Sequence, residues 1–161
     1  MAYTRCCKIA LVGSACHQRW EWDGVLFEIL HPTLDYVGKK NDRSCVLKVQ
    51  AGIQSVLMTG DIETKSENDL IQRVPQALAS TMLMVPHDGS KTSSSEAFIA
   101  AVHPHYAIIT VGYENHYREA SIPVFDSIHH GALSFTLNGE SPLKIQSYRL
   151  EHKNFWNPDI G

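Results

Sequence analysis

The sequence predicts an α/β fold, and three observations carry that expectation. Continuous apolar runs alternate with helical patterns through the middle of the chain, as parallel strands covered on both faces require. A pair of strand-like runs ahead of them reads as a hairpin. A second pair surrounds Asn138-Gly139 near the end and reads as a closing antiparallel hairpin.

Taken in order, the first strands are expected over Lys8–Val12 and Val25–Leu30, the latter stopped by His31-Pro32, where a central strand cannot continue. The polar turn from Gly38 to Asp42 leads into Ser44–Val49, and Ala51-Gly52 turns the chain into Ser55–Thr59. After Gly60-Asp61 comes a polar helix over Glu63–Arg73. Thr81–Val85 is a buried strand closed by Pro86. Ser93, Ser94 and Ser95 offer N-caps for a helix through Ala97–Val102, with Glu96 in its first turn. Tyr106–Val111 is the next buried strand. Ala132–Leu137 and Leu143–Tyr148 form the last hairpin, and the tail from Leu150 is irregular or a short helix.

At 161 residues the chain is expected to be a single domain, 1–161, with enough length to bury a core. Hydrophobic residues make up 43%, which excludes intrinsic disorder, and no apolar run of about 18 residues is present to span a membrane. Cys6, Cys7 and Lys8 interrupt any signal-peptide core. A net charge of -3 argues against a dedicated basic nucleic-acid platform, although a bound metal would supply positive charge locally. The four cysteines contain no C-x-x-C pair, so zinc-knuckle and thioredoxin motifs are excluded and buried free thiols are expected.

The β-α-β-α-β run places the C-terminal ends of three parallel strands on one rim, where open α/β sheets collect ligands. The residues just past those ends are Gly60-Asp61, His87-Asp88-Gly89-Ser90 and the stretch from Gly112 to His116. Asp61, His87 and His116 therefore converge, with side chains that suit zinc or manganese. Gly89, Ser90, Lys91, Thr92 and Ser93 run toward a helix N-terminus and form a candidate phosphate-binding loop. It lacks the order of a P-loop. Each feature alone has an ordinary explanation, as an N-cap, a loop histidine or a capping serine; their coincidence on one rim favours function.

Several segments together resemble the DNA-internalisation (ComEC-like) competence proteins. They are Trp20–Val25 with Phe27 and Leu30-His31-Pro32, Asn41 with Ser44–Leu47, Val56–Glu63, Val85–Ser95, Val111-Gly112-Tyr113 with Asn115 and Tyr117, and Gly131-Ala132 to Phe135. The resemblance covers most of residues 16–150. It implies the C-terminal portion of a metallo-β-lactamase-type domain, hence a partial αββα sandwich with a β-hairpin, a βαβαβ run and a C-terminal antiparallel hairpin. It further implies a soluble domain of a membrane-associated protein acting in competence, DNA uptake and transformation. The implied chemistry is metal-dependent phosphodiester hydrolysis of incoming DNA. By resemblance Asp61 stands at the metal-bridging aspartate and His87 at the first histidine of a Pro-His-His-Gly-Ser motif, so both are candidate catalytic residues and metal ligands, with Asp88 and His116 as further candidate ligands. Zinc or manganese is the implied cofactor. DNA is the implied partner, with the remainder of the competence protein, or another chain, completing the sandwich.

The chain departs from the family pattern in three places. The H-x-H-x-D-H motif is absent, Asp88 replaces the second histidine, and the segment between Tyr117 and Ile122 is short. Asp61 and His87 supply two ligands, whereas a catalytic zinc takes about three from the protein. The chain alone is therefore expected to bind metal poorly and to hydrolyse weakly. The alternative is a non-catalytic DNA-binding or structural remnant; a lactonase or β-lactamase is a third reading, less compatible with a phosphate loop. Half a sandwich exposes apolar sheet surface, so self-association is also expected. Of the nine histidines, His31 is expected to be structural, His103 and His105 to cap a helix end, and His129-His130 to lie in an exposed turn.

Overall fold

The structure, a computed structural model, describes residues 18–110, 121–139 and 143–152. Lys8–Val12, His116 and Cys6, Cys7 and Cys16 lie outside these residues. The first hairpin pairs β1 (Arg19–Trp22) with β2 (Val25–His31) through Asp23-Gly24, both at positive φ, 51° and 74°. That is the turn Asp-Gly favours, because its twist matches that of the strands it joins. β3 (Val46–Ala51) and β4 (Gln54–Met58) form the expected second hairpin. α1 (Thr64–Arg73) and the single turn α2 (Pro75–Leu78) lead to β5 (Met82–Met84). α3 (Glu96–Val102) then leads to β6 (Tyr106–Ile109), and β7 (Val124–Asp126) follows. α4 (Ser127–His130), β8 (Leu133–Thr136), β9 (Lys144–Ser147) and α5 (Tyr148–Glu151) complete the described chain.

The seven-stranded sheet runs β1-β2-β3-β4-β5-β6-β7, antiparallel up to β4 and parallel from β4 to β7. β8 and β9 form a separate antiparallel pair. The sequence reading thus identified the α/β class and both hairpins. Thr136 pairs with Lys144, so seven residues intervene and Asn138-Gly139 is not a two-residue turn. Gly52 and Gly139 need to be glycine: both have positive φ, and a Cβ on Gly52 would meet the Gly139 carbonyl oxygen at 2.7 Å. Gln54 pins the same turn, its Oε1 accepting from the Asn138 N–H at 3.1 Å.

Register assigns each side chain to a face. Leu57, Leu83, Ala107 and Val124 are cross-strand neighbours on one face. They meet Leu70, Leu78, Phe98, Ile99 and Val102 from the helices to form the core. Lys48 shares that face and lends its ammonium to the carbonyls of Ala77 and Ala79 at 2.9 and 2.8 Å, closing the end of α2. The other face carries Trp20, Phe27, Val49, Val56, Met82 and Tyr106 in one row across six strands. Only Val56 and Met82 of these six are buried.

His31 is structural, as expected. It is wholly buried, its Nε2 donates to the Asp42 carbonyl at 2.7 Å, and its ring meets Tyr36 edge-on. Its Nδ1 lies 3.6 Å from Asp69, which also binds Arg73. Burial holds the imidazole below its ordinary pKa, against the opposing pull of the Asp42 carbonyl and the Asp69 charge. The unfolded chain therefore takes up a proton near pH 6.5 that the folded one resists. Stability is expected to be level above that pH and to fall on acidification below it. This histidine contributes at most about 1.4 kcal/mol per pH unit. Urea midpoints at pH 7.5, 6.5 and 5.5 check this, with His31→Phe as the variant that should flatten its share of the slope.

Two expectations need correction. Cys45 is disulfide-bonded, not a free thiol. The residue is half-buried. His129 is exposed as expected, but the His129-His130 pair is helical rather than an open turn. It forms the end of α4, where His130 is half-buried and its ring lies tilted against Phe125, 5.2 Å between centroids.

Candidate functional site

Four parallel strands end on one edge, one more than the sequence reading counted, because β7 joins β6 in parallel. Past β4, Thr59 is buried and its hydroxyl donates to the Met84 carbonyl at 2.6 Å, tying β4 to β5. Gly60 takes φ 56°, a conformation free of cost only for glycine, and leaves Asp61 exposed on the rim. Past β5, Pro86–Gly89 form a single tight turn in which His87 and Asp88 both adopt the left-handed conformation, at φ 50° and 51°. Two consecutive non-glycine residues in that region carry strain, which the surroundings must hold in place.

The restraints are visible. The His87 N–H donates to the Gly60 carbonyl at 2.9 Å, so the Asp61 and His87 turns are joined directly. The Thr110 hydroxyl donates to the Asp88 carboxylate, and the Ser127 hydroxyl to the Thr110 carbonyl, linking the ends of β5, β6 and β7. His87 is half-buried, and its Nδ1 is sealed from water without a hydrogen-bond partner. An orphaned ring nitrogen and an exposed carboxylate on adjacent turns are donor types that metal chemistry could use. Among the described residues, however, no three His, Cys, Asp or Glu side chains come together to hold an ion. Asp61 and His87 lie on adjacent turns; His116 lies outside the described residues.

The candidate phosphate loop runs along the top of α3. Ser95 caps the helix, its hydroxyl accepting from the Phe98 N–H at 3.3 Å, as the serine run predicts. The free donors just ahead of the helix are already occupied. Glu67 of α1 is fully buried, and its carboxylate accepts from the Ser94 and Ser95 N–H groups at 2.5 and 3.0 Å. It is an internal anion at a helix N-terminus. The Ser93 hydroxyl is buried and donates to the carbonyls of Pro86 and Ser90. Ser90 and Thr92 bond to each other through their hydroxyls at 3.1 Å. Lys91 and Thr92 are the exposed part of the loop. Nothing in the sequence singles out Glu67 from Asp69, the other acidic residue of that helix.

Sequence reasoning also passed over Asp126. It ends β7 on the same rim, nearly buried, and caps α4 by accepting from the His129 N–H at 2.7 Å. Its carboxylate also holds the His129 Nδ1 at 2.7 Å. Burial pushes the Asp126 carboxyl up, but the backbone and ring N–H groups of His129 outweigh it and hold it below the ordinary range. An aspartate three residues before a histidine, directly after a parallel strand, was the available signal.

No family model matches the chain. Among curated proteins it is similar to Competence protein ComA of Neisseria gonorrhoeae, 39% identical over 150 residues that cover 86% of this chain and 21% of that protein. It is 37% identical to Recombination protein 2 of Haemophilus influenzae over 110 residues, 68% of this chain and 14% of that protein. It is also 37% identical to ComE operon protein 3 of Bacillus subtilis over 92 residues, 57% of this chain and 12% of that protein. The chain thus spans about a fifth or less of the length of the curated relatives it matches. Among the described residues no helix is long and apolar enough to cross a membrane. With matches at 37–39% identity to three competence and recombination proteins, the chain belongs to the ComEC-like competence protein family, as part of its C-terminal region.

Proposed function

We propose that this chain contributes to competence and DNA uptake as part of a DNA-handling domain whose rim, led by Asp61 and His87, faces the phosphodiester backbone. The observation that carries this reading is the clasp between the two turns: the His87 N–H on the Gly60 carbonyl fixes Asp61 and His87 on neighbouring strand ends. Lys91 and Thr92, exposed beside them, are available to meet a phosphate, and Gly89, Ser90 and Ser93 shape the loop that presents them. In such a domain zinc or manganese would activate water and stabilise the leaving oxygen. The residues described do not complete a metal centre, since Asp61 and His87 lack a third ligand and Asp88 is engaged by Thr110. No step through a metal is therefore derived, and hydrolysis by this chain alone is proposed to be weak.

A second reading, a DNA-binding or structural module without catalysis, draws support from Glu67. That carboxylate fills the donors a phosphate would otherwise take ahead of α3. A nuclease assay with manganese separates the two. On the first reading residual cleavage of DNA is detectable, and Asp61→Ala lowers it by at least about tenfold, since even the loss of an outer-sphere partner costs that much. Cleavage that Asp61→Ala leaves unchanged would detach Asp61 from the chemistry. DNA binding with no cleavage favours the second reading.

A further inference from the structure

The loop between β2 and β3 is fastened on one side and exposed on the other. β2 runs in the same direction as β4, two strands away, so the chain leaves β2 on the edge that carries Asp61. Residues 33–43 are held there against the start of α1. Asp42 is buried, and its carbonyl accepts from His31 Nε2 at 2.7 Å and from the Ser66 hydroxyl at 3.0 Å. The Tyr36 and Ser66 hydroxyls are bonded at 2.9 Å, and the Asn41 amide donates to the Glu63 carboxylate at 3.2 Å. Ser44, directly after the loop, packs on Gly60, where a Cβ would meet the Ser44 Cβ at 3.0 Å.

The outer side is apolar and basic together. Val37 is 83% exposed and Leu34 59%. Lys39, Lys40 and Arg43 are exposed beside them, and their side chains enter no hydrogen bond or ion pair among the described residues. Lys65, exposed at the start of α1, reaches the same loop: its ammonium donates to the Val37 carbonyl at 2.9 Å and lies 5.8 Å from the centre of the Tyr36 ring. The exposed carboxylates nearby are Asp35 within the loop and Asp61 on the neighbouring turn, while Asp42 is buried and Glu63 is half-buried against Asn41. Cations are therefore in excess here, in a chain whose net charge is -3. The hairpin tips on the opposite edge make the contrast. Trp22 and Ile53 are similarly exposed there, but Glu21 and Asp23 stand beside them in place of lysines.

We propose that residues 34–43 dock on an anionic phospholipid surface. Leu34 and Val37 enter the boundary between headgroups and acyl chains, and Lys39, Lys40, Arg43 and Lys65 meet lipid phosphates around them. The two features together choose this partner. A nucleic-acid backbone or an acidic peptide answers the cations but offers nothing to the aliphatic side chains. Single strands are also held by stacking on aromatic rings, and the one aromatic residue of this loop, Tyr36, is half-buried with its ring edge-on to His31. An apolar protein partner answers Leu34 and Val37 but leaves the cations unpaired. Because the loop is already fastened to α1, little ordering is lost on contact. Docked in this way, the edge that carries Asp61 lies against the bilayer. The contact is peripheral and reversible, and it stands apart from the chemistry proposed for the rim.

Vesicle sedimentation tests this. The purified chain is spun with vesicles of phosphatidylcholine alone and of phosphatidylcholine mixed with phosphatidylglycerol, without divalent metal, and binding to duplex DNA is measured alongside. Binding is expected to the anionic vesicles and not to the neutral ones. Lys39→Ala with Lys40→Ala is expected to weaken it about 25-fold, since each basic residue at an anionic surface is worth about fivefold. Leu34→Ser with Val37→Ser is expected to weaken it at least about tenfold, since each CH2 withdrawn from lipid is worth about fourfold, and to leave any DNA binding unchanged. Lys144→Ala, at an exposed cation of β9, is expected to change nothing. All these side chains are exposed, and unchanged urea midpoints verify that the variants fold. No binding to the anionic vesicles overturns the inference. Binding weakened by the lysine changes but indifferent to Leu34 and Val37 overturns it in favour of a surface for polyanions, and tighter binding to DNA would then mark a nucleic-acid site. Equal weakening by Lys144→Ala overturns it by showing attraction without a defined surface.

Discussion

Replacing Glu67 by alanine is expected to destabilise the fold by about 3 kcal/mol, because two N–H groups, one buried and one partly buried, lose their acceptor and each unsatisfied donor costs roughly 1–3 kcal/mol. The carboxylate is inaccessible to solvent and is the only acceptor identified for the Ser94 and Ser95 amides among the described residues. Glu67→Gln is the informative companion. Its amide presents one oxygen and one NH2, so one backbone donor stays satisfied and the other meets a donor; about half the loss is expected. Urea unfolding midpoints with unchanged slope read both. The effect bears on function too, since these amides join α1 to the loop that presents Lys91, and the Ser93 hydroxyl ties that loop to the Pro86 carbonyl at the turn carrying His87. A loss below about 0.5 kcal/mol for the alanine variant would mean that Glu67 does not organise this loop.

Phe98→Ala is expected to cost about 3–5 kcal/mol, the range for emptying an aromatic site in a closed core. Among the described residues Phe98 is the largest fully buried side chain, reaching from α3 onto the helix-covered face of the sheet. The matching change on the opposite face, Met58→Ala, is expected to cost about 0.5 kcal/mol or less in the isolated chain, as surface substitutions do. The same sheet thus carries a consolidated face and an unfinished one. Thermal or urea denaturation of both variants checks the contrast, and equal costs would contradict it.

The sequence made the sheet legible because burial on both faces leaves continuous apolar runs, as at Met82-Leu83-Met84 and Ala107-Ile108-Ile109. Asp61 and His87 were legible as residues just past strand ends, and the parallel topology brings their turns together. Other features were hidden for physical reasons. The left-handed turn at His87-Asp88 puts two non-glycine residues ahead of Gly89, so the glycine does not announce them and the surrounding hydrogen bonds hold them. Glu67 looks like any solvated helix residue until α1 is laid against α3. Asp126 escapes a sequence reading because β7 is only three residues long, too short for an apolar run to mark it. Cys45 was taken as a thiol because pairing depends on which cysteines the fold brings close, which spacing does not give.

The proposal that this chain carries an incomplete metal site is tested most directly by its metal content. The purified chain is loaded with zinc or manganese, dialysed against metal-free buffer and analysed by atomic emission. With Asp61 and His87 on the rim but no third ligand gathered beside them among the described residues, substoichiometric retention is expected, falling further in His87→Ala. A full equivalent of zinc or manganese surviving dialysis, and lost in His87→Ala, would contradict the account by showing that this chain completes the centre by itself.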